Sequence, residues 1–461
     1  MAKIPAIPKP ISILFIVIDS VSRLNLIRTM PETRDYISQQ GFIEMEGYNK
    51  VDDNTFPNFL ALLNGMNKTQ TRKMKCSGRI VNELDSCPMI WYDFRNLGYA
   101  TAYGEDWGPL GTFNYMKAGF TKPPTDYYFR PYVLASEQLG TFLIDNAPYC
   151  AGPETSGERQ LNLALDFAKT FKNCPYFGIF WMNTFSHQSI NAPLRFDSKI
   201  RSFFADLKAE GVLDDSIVVF LSDHGIRMDT TIRKTFSGWF EERLPMNLIS
   251  VPKWFQEKYK EEYKNLKLNS KKLTSTHDLY MTLQHILKLS VPSYGISSSK
   301  ACPKCVSLFD EVPNRTCSEA GIPEEWCTCI GQITPLNTSS EIVTEGIKFV
   351  LNYMDRTLDY YNATHSCCKL ELDRVTLAGI SETSELDNEK YLFLNFWTFP
   401  FADYIVTLKY KVNENKNNIF RILFEIIRLD RPTSICTINE IASSKIENFC
   451  HCCNREISNR L

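Results

Sequence analysis

The chain has 461 residues, 44% of them hydrophobic, with 30 Phe and 21 Tyr, which supplies a large core and excludes a disordered chain. Lys plus Arg (51) balance Asp plus Glu (53), so no net field draws nucleic acid or an acidic membrane surface. At this length two domains are expected.

Residues 1–10 are broken by proline, and the run 11–18 is too short for a signal core or a membrane span. No targeting signal is visible. Because the first core strand begins at residue 11, a leader is expected upstream of this sequence. The run 11–18 is apolar on both faces, the pattern of a buried parallel strand, and ends in Asp19-Ser20. Residues 25–40 place Leu26, Ile27, Met30, Tyr36 and Ile37 at the spacing of one or two packing helices. Residues 42–51 then deliver the chain to Asn54-Thr55-Phe56-Pro57-Asn58.

Pro57 suits the first turn of a helix, and an apolar run follows at 59–63, so Thr55 lies at or just before the helix start. Unpaired N–H groups and the helix dipole favour an anion there. Thr is also an ordinary N-cap, so the segment by itself reads as a cap. Its companions make Thr55 a candidate nucleophile. Residues 175–182 and 216–222 repeat the buried-strand pattern; the first ends in Asn183-Thr184-Phe185-Ser186-His187, the second in Asp223-His224-Gly225. In an open α/β sheet ligands bind beyond the carboxyl ends of the strands. Asp19, Asp223, His224 and His187 are therefore expected on one rim, with Thr55 and His277 brought in by loops.

Between these stretches, 68–79 reads as a solvated basic loop, and Cys76 and Cys87 are expected to close it as a disulfide. The strand pattern at 98–107 ends in Glu105 and Asp106, which either support the rim or are solvated. Helical spacing at 161–171 and 200–207 supplies crossovers between parallel strands. Residues 226–238 read as an active-site loop in which Arg227, Arg233 and Lys234 are candidates to bind oxyanions, with Glu241 and Glu242 as their partners. A charged surface element is expected at 253–272. His277 then opens a helix over 278–289.

Proline, glycine, serine and cysteine accumulate between 290 and 335. The expected organisation is a metal-dependent α/β domain at 11–295 with a mostly parallel sheet flanked by helices, a cysteine-rich linker at 296–335, and a carboxy-terminal α+β region at 336–461. That region carries a helix at 342–358 and antiparallel strands at 368–377, 391–397, 404–410 and 420–429. Cys436, Cys450, Cys452 and Cys453 are expected to staple its tail. Of fifteen cysteines, eleven follow residue 300, and sequons stand at Asn67, Asn314, Asn337 and Asn362. Both features favour an extracellular or secretory-lumen location, the alternative being a cytoplasmic protein with reduced thiols. Cys302/Cys305 and Cys327/Cys329 allow a structural zinc site, but disulfides are the preferred reading.

A divalent metal would activate a threonine hydroxyl and neutralise charge on the transferring group. Asp19, Thr55, Asp223 and His224 would form one such site, and His187 and His277 a second, or act on the leaving group. Carboxylates with imidazole suit zinc or manganese.

Asp19, Thr55 in Thr-Phe-Pro-Asn, Asp223-His224-Gly225 and His277 in Thr-His-Asp-Leu resemble the metal-site signature of the alkaline phosphatase superfamily. A closer resemblance is to an animal family of secreted, sulfatase-like proteins of unknown function. It is carried by Asp19-Ser20-Val21-Ser22-Arg23, by Phe240-Glu241-Glu242-Arg243-Leu244-Pro245 and by the stretch from Asn314-Arg315-Thr316-Cys317 to Trp326-Cys327-Thr328-Cys329. The superfamily resemblance, with the phosphodiesterase-like Thr-Phe-Pro-Asn form, implies a metal-dependent hydrolase or transferase of phosphate-type esters acting through Thr55 on a small anionic ester or a glycan- or lipid-linked substrate. Sulfatases use a modified Cys or Ser in Cys/Ser-x-Pro-x-Arg, which Thr55-Phe56-Pro57-Asn58-Phe59 lacks, so sulfuric ester hydrolysis is disfavoured. Phosphodiesterase relatives carry Asp where this chain has Asn183, which leaves a single-metal site or a catalytically silent, structural or glycan-binding protein as alternatives.

Overall fold

The computed structural model describes residues 9–144, 147–381, 389–412, 418–430, 446 and 448–451. Two compact units divide them. The first takes the chain to Asp229 and again over Phe240–Thr328; the second takes Thr230–Trp239 and the chain from Cys329 onward.

The first unit is built on a sheet ordered Ile43–Glu44, Asn247–Ser250, Ile217–Leu221, Ile13–Ile18, Tyr176–Met182, Ala100–Glu105 and Tyr127–Tyr128. The five strands from Ile217–Leu221 to Tyr127–Tyr128 run parallel, and Asn247–Ser250 is antiparallel to its neighbours. Alternate residues feed two different cores, which is why the sequence reads as continuously apolar. Ile13, Phe15 and Val17 join Phe177, Trp181 and Val219 on one face, beneath helices Thr55–Asn64, Ile90–Asn96 and Thr276–Ser290. Leu14, Ile16 and Ile18 join Phe180, Met182 and Phe220 on the other, beneath Ser156–Thr170 and Asp197–Ala209. Both crossover helices begin earlier than the apolar spacing suggests; at the first, a capping box of Thr155 and Glu158 supplies the start. The register sets Ile18 opposite Met182 and Val17 opposite Leu221. The residues that follow these strands therefore emerge together.

Three expectations need correction. Residues 68–79 are not all loop: Lys68–Lys73 is a short helix capped by Asn67 and Gln70, and the Cys76–Cys87 disulfide closes the segment. The 226–238 loop contains helix Thr230–Arg233 and the start of Phe236–Arg243. Helices this short carry too few apolar positions to show a period. Nor is 296–328 a linker. Its Leu308 N–H donates to Thr282 Oγ1 (2.8 Å) and Arg315 Nη1 to Asp278 Oδ1 (3.0 Å), which tie it to the first unit, while the disulfides Cys302–Cys305 and Cys317–Cys327 staple the segment internally. The compact boundary falls after Thr328.

The second unit is an antiparallel sheet ordered Ile333–Pro335, Glu371–Ser381, Glu389–Phe399, Ala402–Val412 and Asn418–Ile422, with Ile427–Arg428 beside Ala402–Val412. The stretch read as one strand at 420–429 is thus two. Helix Glu341–Tyr360 buries Val343, Ile347, Val350, Met354 and Leu358 in the unit's core. Cys367 pairs with Cys450. Cys436, Cys452 and Cys453 lie outside the described residues. Cys150, Cys174 and Cys329 have no disulfide partner among the described residues. The four sequon asparagines are all exposed. No described helix is long and apolar enough to cross a membrane.

Phe220 is fully buried in a central strand with its ring 5.1 Å from that of Phe204. Phe220→Ala should cost the first unit about 3–5 kcal/mol. Urea denaturation should show a lower midpoint at an unchanged slope.

Candidate metal centre

Two strand ends and a helix start build the site. Asp19 continues the ladder of Ile13–Ile18 by donating its N–H to Met182 O (2.9 Å), and Ser20 then turns the chain in a left-handed conformation (φ 63°). Such a conformation in a non-glycine residue is uncommon and gathers at functional sites. It brings the Ser20 N–H to Asp223 Oδ1 (3.4 Å) and its hydroxyl to Asp19 Oδ2 (3.1 Å). From the next strand come Asp223 and His224, both buried. Gly225 follows because a Cβ there would lie 1.9 Å from Glu241 O.

Thr55 is the first residue of its helix, with Asn54 at the cap position, so its hydroxyl is not the cap. Thr55 Oγ1 lies 3.3 Å from Asp19 Oδ1 and 3.4 Å from His224 Nε2. His224 Nδ1 stands 2.8 Å from Gly225 O and therefore carries the ring proton. Nε2 thus offers a lone pair, 3.2 Å from Asp223 Oδ2 and 3.9 Å from Asp19 Oδ1.

This arrangement sets acceptors against acceptors. Asp223 Oδ2 is buried and receives no hydrogen bond among the described residues. Burial, then the charge of Asp223, pushes Asp19 well above the usual carboxylate range. Burial also lowers His224, so no proton on Nε2 relieves the conflict. Asp19, Asp223 and His224 offer ligand atoms all within 4.8 Å of one another. A divalent cation fits the set, and two oxygens with one imidazole nitrogen suit zinc or manganese.

The other candidates divide. His187 lies close enough to feel His224 and Asp223, its ring edge-on to Trp107, and its Nδ1 is buried with no hydrogen-bond partner among the described residues. His277 is joined to none of the cluster by a hydrogen bond or ion pair among the described residues. Its Nδ1 meets Ser299 Oγ at 3.2 Å, and its ring packs against Gly321. Burial pushes both imidazoles down to about 4. Neither would carry a spare proton at neutral pH, which argues against a protonated leaving-group acid here. Asn183 turns its amide to Glu105 Oε2 (3.3 Å), and its N–H to Asp106 Oδ1 (2.6 Å). Asp106 also accepts Thr184 Oγ1 (2.5 Å), so it braces the turn beneath the rim. Asp229 accepts Ile190 N–H (3.1 Å).

Of the cations expected near the site, Arg227 pairs with Asp53 (2.7 Å) and Lys234 with Asp403 (2.5 Å). Glu241 accepts Ser22 Oγ (2.7 Å) and both arms of Arg28. The group missed from sequence is Lys50. It is fully buried, donates to Asp53 O (3.0 Å) and Glu242 Oε1 (3.1 Å), and lies 3.8 Å over Trp326. Burial brings it down to about 8. The available signal was a lysine closing an otherwise extended stretch just ahead of Thr55.

Because Asp19 is raised above its unfolded value, the metal-free fold holds more protons than the unfolded chain. Its stability contribution is present at acid pH and lost as pH rises through the raised value. Asp19→Asn should therefore raise the melting temperature of chelator-treated protein at pH 7 and abolish the further rise on adding zinc or manganese. Thermal melts with and without metal check this.

No curated protein matches the chain in sequence. Among solved structures, it is similar to the lipoteichoic acid synthase LtaP from Listeria monocytogenes, at 14% identity over 67% of this chain and 78% of that one, TM-score 0.43. A putative sulfatase, yidJ, from Bacteroides fragilis matches at 12% identity over 87% and 90%, TM-score 0.43. A protein in the alkaline phosphatase superfamily from Vibrio parahaemolyticus matches at 11% identity over 90% and 86%, TM-score 0.41. No residue role is taken from these distant likenesses. The family model described as "Protein of unknown function (DUF229)" matches residues 3–376, and the chain belongs to that family.

Proposed function

We propose that the protein is a metal-dependent hydrolase or transferase of phosphoric esters with Thr55 as nucleophile. The observation that carries this reading is the Thr55 hydroxyl, part-exposed at a helix start and within 3.4 Å of both a buried carboxylate and an imidazole lone pair. A divalent cation held by Asp19, Asp223 and His224 would supply charge neutralisation and a lowered hydroxyl pKa. Thr55 Oγ1 attacks phosphorus as its proton leaves along the hydrogen bond to Asp19. The ester P–O bond breaks, the departing alkoxide takes a proton from water, and phosphothreonine remains. Water resolves it in hydrolysis; a second alcohol resolves it in transfer. His187, as a neutral imidazole, would offer a ring N–H to a non-bridging oxygen.

Phosphate rather than sulfate follows from a threonine where sulfatases need a modifiable Cys or Ser. The substrate would be a small phosphate ester or a phospho-alcohol head group. An oxidising, secretory setting is supported by the four described disulfides and the exposed sequons. A second reading, a silent protein that keeps the metal site for structure, is favoured by Asn183, whose amide is engaged with Glu105.

Thr55→Ala should lower turnover of any ester the protein accepts by about a thousandfold or more while metal content and melting temperature hold. Near-normal rates would reduce Thr55 to a packing role. The unmodified protein should retain about one metal per chain after dialysis, and Asn183→Asp should raise this towards two. Elemental analysis decides it, and two metals in the unmodified protein would show that Asn183 does not limit the site.

A further inference from the structure

We propose that a second anion site, formed by Lys117 with Arg79 and Lys68, borders Thr55 and takes a further phosphate or sulfate group of the substrate. This rests on the reading of Thr55 as nucleophile and narrows the substrate to a multiply charged ester.

The Lys117 ammonium lies 4.2 Å over the ring of Phe56, the residue after Thr55. Phe56 is itself fixed edge-on against Phe113, centroids 5.9 Å apart. The Lys117 stem crosses the turn at Gly78, where φ is +70° and an added Cβ would come within 3.3 Å of Lys117 Cδ. Ala118 N–H donates to Gly78 O (2.8 Å), which ties the Lys117 loop to the disulfide-closed segment. The Lys117 side chain is thus part-buried and held over the residue that follows the candidate nucleophile in sequence, and among the described residues its hydrogen-bond acceptor is Tyr115 O at 3.4 Å.

Arg79 follows Gly78, the turn that the Lys117 stem crosses, and its charge and that of Lys68 both bear on Lys117. After burial, these two cations are what hold the Lys117 ammonium below its ordinary value. No carboxylate pairs with any of the three among the described residues. The nearby acids are engaged elsewhere: Glu83 accepts Ser77 Oγ (2.7 Å) and Arg79 N–H (3.1 Å), and Asp85 accepts Thr121 N–H (3.0 Å). Residues 68–79 hold five cations and no acid. Like charges gathered around a half-buried ammonium without a counter-charge are unfavourable until an anion joins them. A solvated charge run would stand alone in water; here it adjoins a part-buried cation, Lys117, stacked on Phe56, the residue that follows Thr55. A substrate with its reacting phosphate at Thr55 and another phosphate or sulfate on the same scaffold would engage both sites.

The probe is sucrose octasulfate, titrated calorimetrically into the full chain at two salt concentrations. Lys117→Met with Arg79→Gln keeps the packing of the stem and removes two charges, and should raise Kd about tenfold. A charge-matched control, Lys253→Gln with Lys258→Gln on a surface helix, should change it about twofold or less. Equal weakening in both variants, or no binding by the unmodified chain, overturns the site. The titration needs no turnover, so the two readings fail separately. Expected binding with no ester hydrolysed would remove the catalytic proposal and leave this site. Hydrolysis of esters with binding indifferent to Lys117 and Arg79 would do the reverse.

Discussion

Two buried carboxylates face one imidazole lone pair at the ends of adjacent parallel strands, and much of the first unit serves to hold them there. Free in solution, Asp19 and Asp223 would separate. The register that places Ile18 beside Met182 and Val17 beside Leu221 denies them that freedom. Two apolar cores clamp the strands from both sides, so the charge cluster cannot relax by moving the sheet. A cation is the remaining way to satisfy the cluster in its ionised form.

Around this centre stands a layer of paired ions whose work is positional. Glu241 ties Ser22 and Arg28 to the backbone that lies against Gly225, and Glu242 holds Lys50 beneath the loop leading to Thr55. Lys50 and Arg227 both reach Asp53, two residues before Thr55, one at its carbonyl and one at its carboxylate. The loop ahead of Thr55 is therefore braced from within the protein and open at Thr55 itself. The segment 296–328 braces the other side, since Arg315 and Val306 bind Asp278, the neighbour of His277.

How much of this was legible depended on whether a signal was local. The buried strands announced themselves as apolar runs, and Asp19, Asp223 and His224 stood at their ends, so sheet and cluster could be placed from sequence. Thr55 could be set at a helix start from Pro57 alone. Lys50 could not be placed, because its burial depends on Glu242, 192 residues away, and on Trp326. The same holds for Asn183: its departure from relatives was visible, while its partner Glu105, 78 residues earlier, was not. The cysteine-rich segment looked like a linker because its order comes from bonds to Asp278 and Thr282, and composition records no such contact.

The chain enters the second unit twice, at Thr230–Trp239 and from Cys329 onward, and this limits how the protein can be divided or exchanged. Phe236 and Trp239 pack on Phe393 (centroids 6.3 and 5.2 Å), and Gly379 admits the Phe236 ring where a Cβ would strike it. A chain cut after Thr328 would keep both aromatics and lose the strands they rest on. The first unit taken by itself would therefore carry an uncovered apolar loop. The two units are therefore joined by two passages of the chain, despite their separate cores.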